Sequence, residues 1–467
     1  MVNLLSFFCK SIAWEMSMKK KNLAATILSI GCVGFLGIIV ETSLNIANPT
    51  LIKAFNINNN LVQWLTSGYL LVATIMTALA AYLRHIFKIK TIFRTGLVLF
   101  FGGTLIAVLA PNFWLLLIGR LLAGVASGML VPLMFSVIIS QAPLGKRGFY
   151  MGLGSLTLAF APAVGPVYGG FILTSLGWRA IFGLTLPLLI IGWLCGEKFI
   201  QQDITPQRRP FDGWGAVLIG LVLACGLLLV NGFAQGFAPW LLVVLALAAI
   251  LCFVLFARHE KSTAQPLLPL TIFKRHPLTA LFFSYCLIEA VSLLFSYLLP
   301  NFLQVGLGKT AAQSIWYVMP ASLINAVLNV WAGAIYDRLP HQLPIMLGEG
   351  IATVTLFCFC FIQPSPLGVC LLYICTLIGV ALSFGNIMTY ALGTLPPDQA
   401  DACNAWYMIG QSYGGAVGIA TAAGILDFGL SQHNALLGYH LNVVLGCLVF
   451  ILIIGLTAHA FWHQQKP

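Results

Sequence analysis

The chain is 467 residues long, and 60% of its residues are apolar while only 7% are charged. Its mean hydropathy is +0.97, whereas ordinary soluble domains carry roughly 25% charged residues. This composition excludes a soluble, disordered or nucleic-acid-binding chain and a disulfide scaffold, and it predicts a helical integral membrane protein. We attribute the net charge of +11 to the distribution of basic residues among loops, not to an anionic partner.

Fourteen segments are apolar enough to cross a membrane as helices. Each needs about 20 such residues, because lipid offers the backbone no hydrogen-bond partners. The sequence therefore predicts an all-α bundle of fourteen transmembrane helices. Their expected ranges are 23–47, 61–83, 92–109, 113–139, 148–174, 178–200, 213–230, 240–257, 277–303, 311–336, 343–362, 366–392, 402–427 and 438–463.

The basic residues predict the orientation of this bundle, because lysine and arginine accumulate on the cytoplasmic side. With the N-terminus inside, 19 of the 23 basic residues fall in cytoplasmic segments. Only Lys53, Arg179 and Lys309 then lie outside, and Arg120 alone falls within a helix. Both termini are therefore expected in the cytoplasm.

The chain also divides into two similar halves. The loop A-Y-L-R-H-I-F-K-I-K at 81–90 has a counterpart, G-A-I-Y-D-R-L, at 333–339. Parallel repeats of this kind place the binding site of a transporter at their interface. The predicted parts are an N-terminal cytoplasmic arm (1–22), a six-helix bundle (23–200), a linker with two extra helices (201–276), and a six-helix bundle with a short tail (277–467).

Acidic residues inside the predicted helices are the first candidates for function, because charge in lipid is costly. Glu41 lies toward the outer part of helix one, and Glu289 lies near the middle of helix nine. A carboxyl in a low-dielectric cavity can change protonation when water or a cation reaches it, as proton coupling requires. Alternatively, each is a permanently protonated hydrogen-bond donor between helices. Glu349, near the start of helix eleven, is as readily explained by packing or snorkelling.

Other intramembrane residues could complete a site. Arg120 would tune a nearby carboxyl or, alternatively, anchor helix ends. Aromatic side chains could line an apolar cavity that attracts cations, although each taken singly is better explained by packing or by an interfacial belt. These aromatic residues are Trp64, Tyr69, Tyr285, Trp316, Tyr317 and Trp331.

Several chemistries find no support in the sequence. The twelve cysteines show no zinc-ligand spacing, and we predict neither a metal nor a cofactor. The chain has no H-E-x-x-H motif and no G-x-x-x-x-G-K-[ST] motif, which disfavours an intramembrane metalloprotease and an ATP-driven pump. We therefore expect no enzymatic activity.

An ordered set of motifs resembles the major facilitator superfamily, and within it the fourteen-helix drug:proton antiporters of bacteria. Helix one carries E-T-S-L-N-I-A-N-P from Glu41, with Asn45 at the family's asparagine. The further matches are Q-W-L-T-S-G-Y-L-L at 63–71, R-x-x-x-G at 120–124, A-P-A-V-G-P-V-Y-G-G at 161–170, W-R-A-I-F at 178–182 and G-Q-S-Y-G-G-A-V-G-I-A at 410–420.

The segment 161–170 resembles the motif associated with antiport. A proline after a glycine removes a helix hydrogen bond and permits a bend, while glycines let a neighbouring helix approach closely. The antiport motif residues are Pro162, Gly165, Pro166, Gly169 and Gly170.

The first gating loop departs from the family pattern. Ala81, His85 and Lys88 replace the usual glycine, aspartate and glycine, so the charge relay expected there is missing. The second copy keeps Gly333 together with Asp337 and Arg338. His85 could make the first gate pH-sensitive, but a solvated surface histidine is the better reading.

The resemblance implies a secondary transporter that exports lipophilic, cationic small molecules in exchange for protons by alternating access. Glu41 and Glu289 would bind the proton or the cationic substrate, assisted by Arg120 and Asn45, and the aromatic residues named above would contact the substrate. The alternative is proton-coupled export of one metabolite, lipid or antibiotic. The expected partners are protons, small lipophilic substrates and the lipid bilayer, with no nucleic acid; a monomer in the bacterial cytoplasmic membrane is expected.

Overall fold

The computed structural model describes residues 2–57, 59–201, 211–234, 236–263 and 266–464. Within these ranges the chain forms sixteen α-helices and two short 3-10 turns and contains no strand, so the all-α prediction is confirmed. The side chains of residues 2–22, and those of Asn45 and Pro166, lie outside the described residues.

The first eight helices span residues 2–199, and the other eight follow to residue 464. The first eight are α1 (Val2–Phe55), α2 (Asn59–Val62), α3 (Trp64–Ile86), α4 (Ile89–Leu109), α5 (Phe113–Gln141), α6 (Arg147–Leu176), α7 (Trp178–Gly183) and α8 (Thr185–Phe199). The other eight are α9 (Gly213–Ala234), α10 (Pro239–Ser262), α11 (His276–Val305), α12 (Ala311–Tyr336), α13 (Gln342–Phe359), α14 (Pro366–Gly393), α15 (Pro397–Ser431) and α16 (Ala435–Gln464).

The number of candidate membrane spans agrees with the sequence prediction. Thirteen spans are found among the described residues, with α7 and α8 together forming the span Trp178–Phe199. The span count reaches fourteen if the bent pair in α6, Arg147–Pro162 and Val167–Leu176, is taken as one span; the axes of its two parts differ by 46°. The bend falls at the Gly-Pro step of the antiport motif, where proline has no N–H to donate.

Two bundles result from the packing of these helices. In the first, α1 lies against α5 and α6, while α3 and α4 pack on α5. In the second, α11 lies against α14, α15 and α16, and α13 packs on α14. Glycine permits the closest crossings: a Cβ atom at Gly103 would lie 2.5 Å from the carbonyl oxygen of Gly119, and one at Gly348 would lie 2.5 Å from that of Gly379.

The extra helices lie at the seam between the bundles. Helix α9 contacts α3 of the first bundle and α15 of the second, and α10 packs on α9. The α10 surface is largely exposed, with Trp240 and Leu247 open over 68% and 62% of their surfaces. Such an apolar surface suits contact with lipid tails.

The C-terminal ends of α3, α5, α8, α10, α12 and α14 lie at one end of the bundle. We call this the basic end, because it carries most of the lysine and arginine residues. Arg94 of α4 is paired there with Glu197 of α8, through contacts of 2.5 Å and 2.7 Å. That the basic end faces the cytoplasm stays a prediction from the charge distribution.

Candidate functional site

Glu41 lies half-buried on α1, beside the antiport segment of α6. Two residues after Glu41, the Ser43 Oγ is 2.9 Å from the carbonyl oxygen of Gly165 and 2.7 Å from that of Ile39, so its proton can be donated to either. A Cβ atom at Gly169 would lie 2.7 Å from the Ser43 Cβ atom, closer than real side chains come. The glycines of the antiport motif therefore set how closely α6 approaches the helix turn that carries Glu41.

Arg120 lies fully inside the first bundle and is 2% exposed. Its Nε donates to the carbonyl oxygen of Leu65 over 3.2 Å, and its guanidinium carbon sits 4.2 Å from the centre of the Tyr69 ring. The Nη2 atom has no hydrogen-bond partner among the described residues. Glu41 interacts electrostatically with both Arg120 and Tyr69. Arg120 can therefore offer a donor to a nearby carboxylate when that group is charged.

Tyr69 is buried beneath this arginine and packs its hydroxyl against Gly37 of α1, one turn before Glu41. Gly124 of α5 packs directly on the Tyr69 backbone, which brings α3 and α5 together. The R-x-x-x-G spacing of the sequence thus places the charge and the close helix contact one turn apart on the same face of α5. In this conformation Tyr69 supports Arg120 and has only 2% of its surface exposed to a ligand.

Glu289 occupies the corresponding helix of the second bundle, α11, and is also half-buried. Gln411 of α15 donates from Nε2 to the Glu289 Oε1 over 3.4 Å, and its own Oε1 accepts from the Tyr285 hydroxyl over 3.2 Å. The Tyr285 ring stacks on Phe384, with centroids 4.1 Å apart, and lies 5.0 Å from the Tyr407 ring. Glu289 is thus joined to an aromatic cluster through one amide.

Gln411 reaches Glu289 because α15 approaches α11 along a row of glycines. Gly410, Gly414 and Gly418 face Cys286 and Ala290 of α11, with no room for a Cβ atom. The letters at 410–414 also fit the Gly-x-Ser-x-Gly spacing of serine hydrolases, where the serine sits on a strand-to-helix turn. Here the serine lies inside a helix and donates to the Met408 carbonyl oxygen over 3.2 Å, so the spacing serves helix packing.

Asp337 joins the two bundles at the basic end. Its two carboxylate oxygens accept hydrogen bonds from the backbone nitrogens of Gly148 and Phe149, each over 2.8 Å. These nitrogens belong to the first turn of α6, where backbone N–H groups have no partner within the helix. Gly333 of α12 packs directly on Gly148. The second gating loop therefore caps a helix of the first bundle, while Arg338 is exposed beside it.

The first gating loop is closed by a different pair, which the sequence analysis missed. Arg84 is 3% exposed and donates from Nη1 to the Asp401 Oδ1 over 3.1 Å; Asp401 is 5% exposed. Arg84 also donates to the Ser140 Oγ over 2.9 Å. From the sequence, Arg84 was counted among the basic residues of the cytoplasmic segments, whereas the structure places it inside α3 and buries it. Nothing in the spacing of the sequence links residues 317 positions apart.

A third cross-bundle contact adjoins this pair. Asn404 donates from Nδ2 to the Pro132 carbonyl oxygen over 2.9 Å and to the Ser136 Oγ over 3.0 Å. The hydrogen bonds by which Asp337, Arg84 and Asn404 join the two bundles all lie near the basic end. The structure is consequently closed at the basic end.

The predicted aromatic residues occupy different surroundings. Trp64 is 38% exposed and lines a small cavity next to α9. Tyr285 is buried in the cluster around Gln411, and Tyr317 is half-buried on α12. Trp316 and Trp331 are exposed over 73% and 67% of their surfaces.

Not every predicted site residue has a described side chain or a cross-bundle contact. The side chains of Asn45 and Pro166 lie outside the described residues. Pro162 is exposed and Gly170 has open space where a Cβ atom would be, so neither makes a close helix contact of the kind seen at Gly165 and Gly169. His85 is half-buried at the end of α3, next to Arg84.

Glu349, the third carboxyl within the helices, is fully buried between α13 and α16. The Thr457 hydroxyl lies 2.6 Å from its Oε2 atom, while its Oε1 atom has no partner among the described residues. This contact joins two helices within the second bundle. Glu349 therefore lies on a different face of the second bundle from the α11–α15 contact that holds Glu289.

Most of the chain matches a known protein family. The profile of the Major Facilitator Superfamily matches residues 30–419. The chain belongs to the Major Facilitator Superfamily. It is thus a transporter of that superfamily and not an enzyme, as expected.

Its sequence relatives include drug-resistance proteins. The lincomycin resistance protein LmrB of Listeria monocytogenes is 32% identical over 415 residues, which cover 86% of each chain. LmrB of Bacillus subtilis is 31% identical and covers 87% of this chain and 86% of its own. The multidrug resistance protein B homolog of Mycobacterium tuberculosis is 25% identical and covers 83% of this chain and 73% of its own. These relatives confirm the resemblance to the fourteen-helix drug:proton antiporters.

Solved structures confirm the fold. The human organic anion transporter MFSD10 has a TM-score of 0.64 at 12% identity, covering 92% of this chain and 99% of its own. The proton:xylose symporter XylE has a TM-score of 0.63 at 15% identity, covering 97% and 96%. At these identities the likeness extends to the fold alone.

Proposed function

We propose that the protein exports lipophilic, cationic small molecules in exchange for protons by alternating access. The observation that carries the proposal is the paired placement of Glu41 and Glu289. Each lies half-buried on the first helix of its bundle, and each is positioned by a neighbouring helix that glycines bring close. Carboxyls half-buried among the helices of two rocking bundles can bind a proton in one state and release it in another.

The two carboxyls would play unequal parts. Glu41 lies in the field of Arg120, whose Nη2 atom is free to bind a charged carboxylate. Glu289 has the neutral amide of Gln411 and a cluster of aromatic rings nearby, which suits a lipophilic cation. We therefore assign the proton mainly to Glu41 and the substrate charge mainly to Glu289.

The names of the relatives support a drug as substrate. Relatives above 30% identity include lincomycin resistance proteins, and a relative at 25% identity is a multidrug resistance protein homolog. Lincomycin and a fluorescent lipophilic cation are therefore the first compounds to try. An exporter of one metabolite, lipid or antibiotic would use the same coupling residues, and it would transport at most one of these two compounds.

The test uses purified protein in liposomes with an imposed pH gradient. We expect gradient-driven transport of the dye or of lincomycin by the unmodified protein. Glu41→Gln and Glu289→Gln should each abolish gradient-driven transport of the dye. Glutamine at 41 cannot exchange a proton, and glutamine at 289 lacks the charge that binds the cationic substrate. Glu349→Gln is the matched control, since its amide can still bond Thr457 within the second bundle. Transport that stays gradient-driven in both Glu41→Gln and Glu289→Gln would contradict the proposal.

A further inference from the structure

Helix α9 straddles the two halves of a transporter whose halves must move against each other. It contacts α3 of the first bundle and α15 of the second. During alternating access one of these contacts has to change, because α3 and α15 belong to different moving bodies. If the contact with α15 is kept, α9 moves with the second bundle; if the contact with α3 is kept, α9 moves with the first.

The contact with α15 contains a hydrogen bond. The Tyr413 hydroxyl donates to the Leu223 carbonyl oxygen over 2.6 Å. The same ring packs against Gly226, where a Cβ atom would lie 2.6 Å from the Tyr413 oxygen. Within the hydrocarbon region no water replaces a hydrogen bond that breaks, so this contact resists separation.

Around Gly220 the contact with α3 is apolar and loose, whereas polar side chains (Gln63, Ser67 and Asn231) lie at its far end. A Cβ atom at Gly220 would meet Ile75 at an ordinary distance of 3.8 Å. Just before α9 begins, the Phe211 ring lies 5.1 Å from the Tyr82 ring of α3. Apolar side chains can slide past one another in lipid at little cost, because lipid tails replace the lost contacts.

Toward the end opposite the basic end, α3 and α9 separate around a cavity of about 20 Å³. It is lined by Gln63, Trp64, Ser67 and Leu71 from the first bundle and by Leu227, Leu228, Asn231 and Phe237 from α9 and the loop that follows it. The gap is too small for a drug molecule, holding roughly a single water. It marks the α3 side as the loosely packed boundary of α9.

We propose that α9 is attached to the second bundle through Tyr413 and moves with it. As the bundles rock, α9 slides along α3 and continues to cover the interface between α3 and α15. In this position α9 (Gly213–Ala234) keeps lipid out of the α3–α15 interface while the bundles rock. The inference rests on the alternating-access part of the proposed function and not on the choice of substrate.

Two cross-links on the same helix distinguish attachment from sliding. In protein whose native cysteines are replaced by serine, Ile75→Cys with Gly220→Cys would form a disulfide between α9 and α3. Gly226→Cys with Tyr413→Cys, joined by a short bifunctional thiol reagent as long as the tyrosine ring, would tether α9 to α15. We expect the first link to reduce transport to background until a reductant is added, and the second to leave transport close to that of the unlinked pair. The reverse pattern, or equal effects of both links, would overturn the proposal.

A second readout needs no substrate and so separates this inference from the proposed function. Spin labels at Leu70, Phe233 and Val417, which are 39%, 65% and 46% exposed, report on α3, α9 and α15. In the labelled protein in lipid nanodiscs, the distances between 70 and 233 should spread more widely than those between 233 and 417. Tyr413→Phe keeps the ring but removes the hydroxyl, and it should widen the second distribution, whereas the control Tyr297→Phe should not. Equal widths for the two pairs would overturn the proposal even if drug transport is found.

Discussion

The two gates at the basic end occupy equivalent places in the two halves. In one gate the loop side supplies the negative charge, and in the other it supplies the positive charge. At the gate between α12 and α6, the loop supplies the carboxylate of Asp337, and the helix supplies backbone N–H groups. At the gate between α3 and α15, the loop side supplies the guanidinium of Arg84, and the helix supplies the carboxylate of Asp401.

This difference shows how the first gate can close without the aspartate that is usual in its loop. The carboxylate comes from the opposite bundle, and a buried arginine bonds it. The two gates should also fail differently. A helix cap at a partly exposed site can be replaced by water, whereas a buried charge that loses its partner cannot.

The largest effect is expected from Arg84→Ala. It removes the cation from a buried ion pair, and such a loss costs about 3 to 5 kcal/mol. We expect the closed state to lose occupancy, so that Ser136→Cys, at a position 7% exposed next to Asn404, reacts faster with a membrane-impermeant thiol reagent added at the basic end.

The control for this prediction is Arg338→Ala, since Arg338 is an exposed arginine in the equivalent loop. The exchanged pair, Arg84→Asp with Asp401→Arg, should restore part of the protection. If Arg84→Ala and Arg338→Ala gave the same labelling rate, the ion pair would have no part in closing the gate.

Asp337→Ala should open the other gate to a smaller extent. It removes two hydrogen bonds to a charged acceptor, each contributing about 1.5 to 3 kcal/mol. Because Asp337 is only half-buried, water can replace much of this contribution, so the net loss should be below that of the buried pair. The labelling rate of Asp337→Asn should lie between those of Asp337→Ala and the wild type, because the single amide oxygen of asparagine can still accept a hydrogen bond from the backbone nitrogen of Gly148 or Phe149. Labelling of Ser136→Cys measures both variants, and an order other than wild type, Asn, Ala would count against a capping role.

Gly333→Ala tests whether close backbone packing is also needed at this gate. The added methyl group would overlap the backbone of Gly148, and overpacking of this kind costs about 1 to 3 kcal/mol. We expect faster thiol labelling without any change of charge. Gly350→Ala is the matched control, because no atom lies within 4 Å of its Cβ position. Equal labelling of the two alanine variants would mean that the gate tolerates a wider separation.

The smallest effect is expected from His85→Asp, which restores the acid that is usual in the first loop. Asp401 already supplies a carboxylate there, so a second one should add little. We expect the labelling rate to change by less than about twofold, corresponding to under about 0.5 kcal/mol. A clear gain in protection would show that the Arg84–Asp401 pair does not replace the missing aspartate.

The architecture could be predicted from the sequence because few backbone conformations satisfy all their own hydrogen bonds inside lipid. A run of about 20 apolar residues has to be helical, and the charged loops between such runs mark the ends. The bend in α6 also followed from local chemistry, since proline lacks the N–H that the helix needs. Both kinds of inference use residues that are neighbours in the chain.

The site was predicted only in part. Glu41, Glu289 and Arg120 were found because a charge among apolar residues is conspicuous in a sequence. Gln411 and the Arg84–Asp401 pair were missed, because an amide in a glycine-rich helix and charges near loops look ordinary until the helices are packed. A role for α9 likewise depended on seeing which two helices it touches.

The central claim, exchange of substrate for protons, is tested most directly by following protons when only a substrate gradient is imposed. The purified protein would be placed in lightly buffered liposomes that contain a pH-sensitive dye, with lincomycin or a lipophilic cation on one side and no pH gradient. We predict that protons move against the substrate flow in the unmodified protein and that this movement is lost in Glu41→Gln. Substrate flow that leaves the internal pH unchanged would contradict the account.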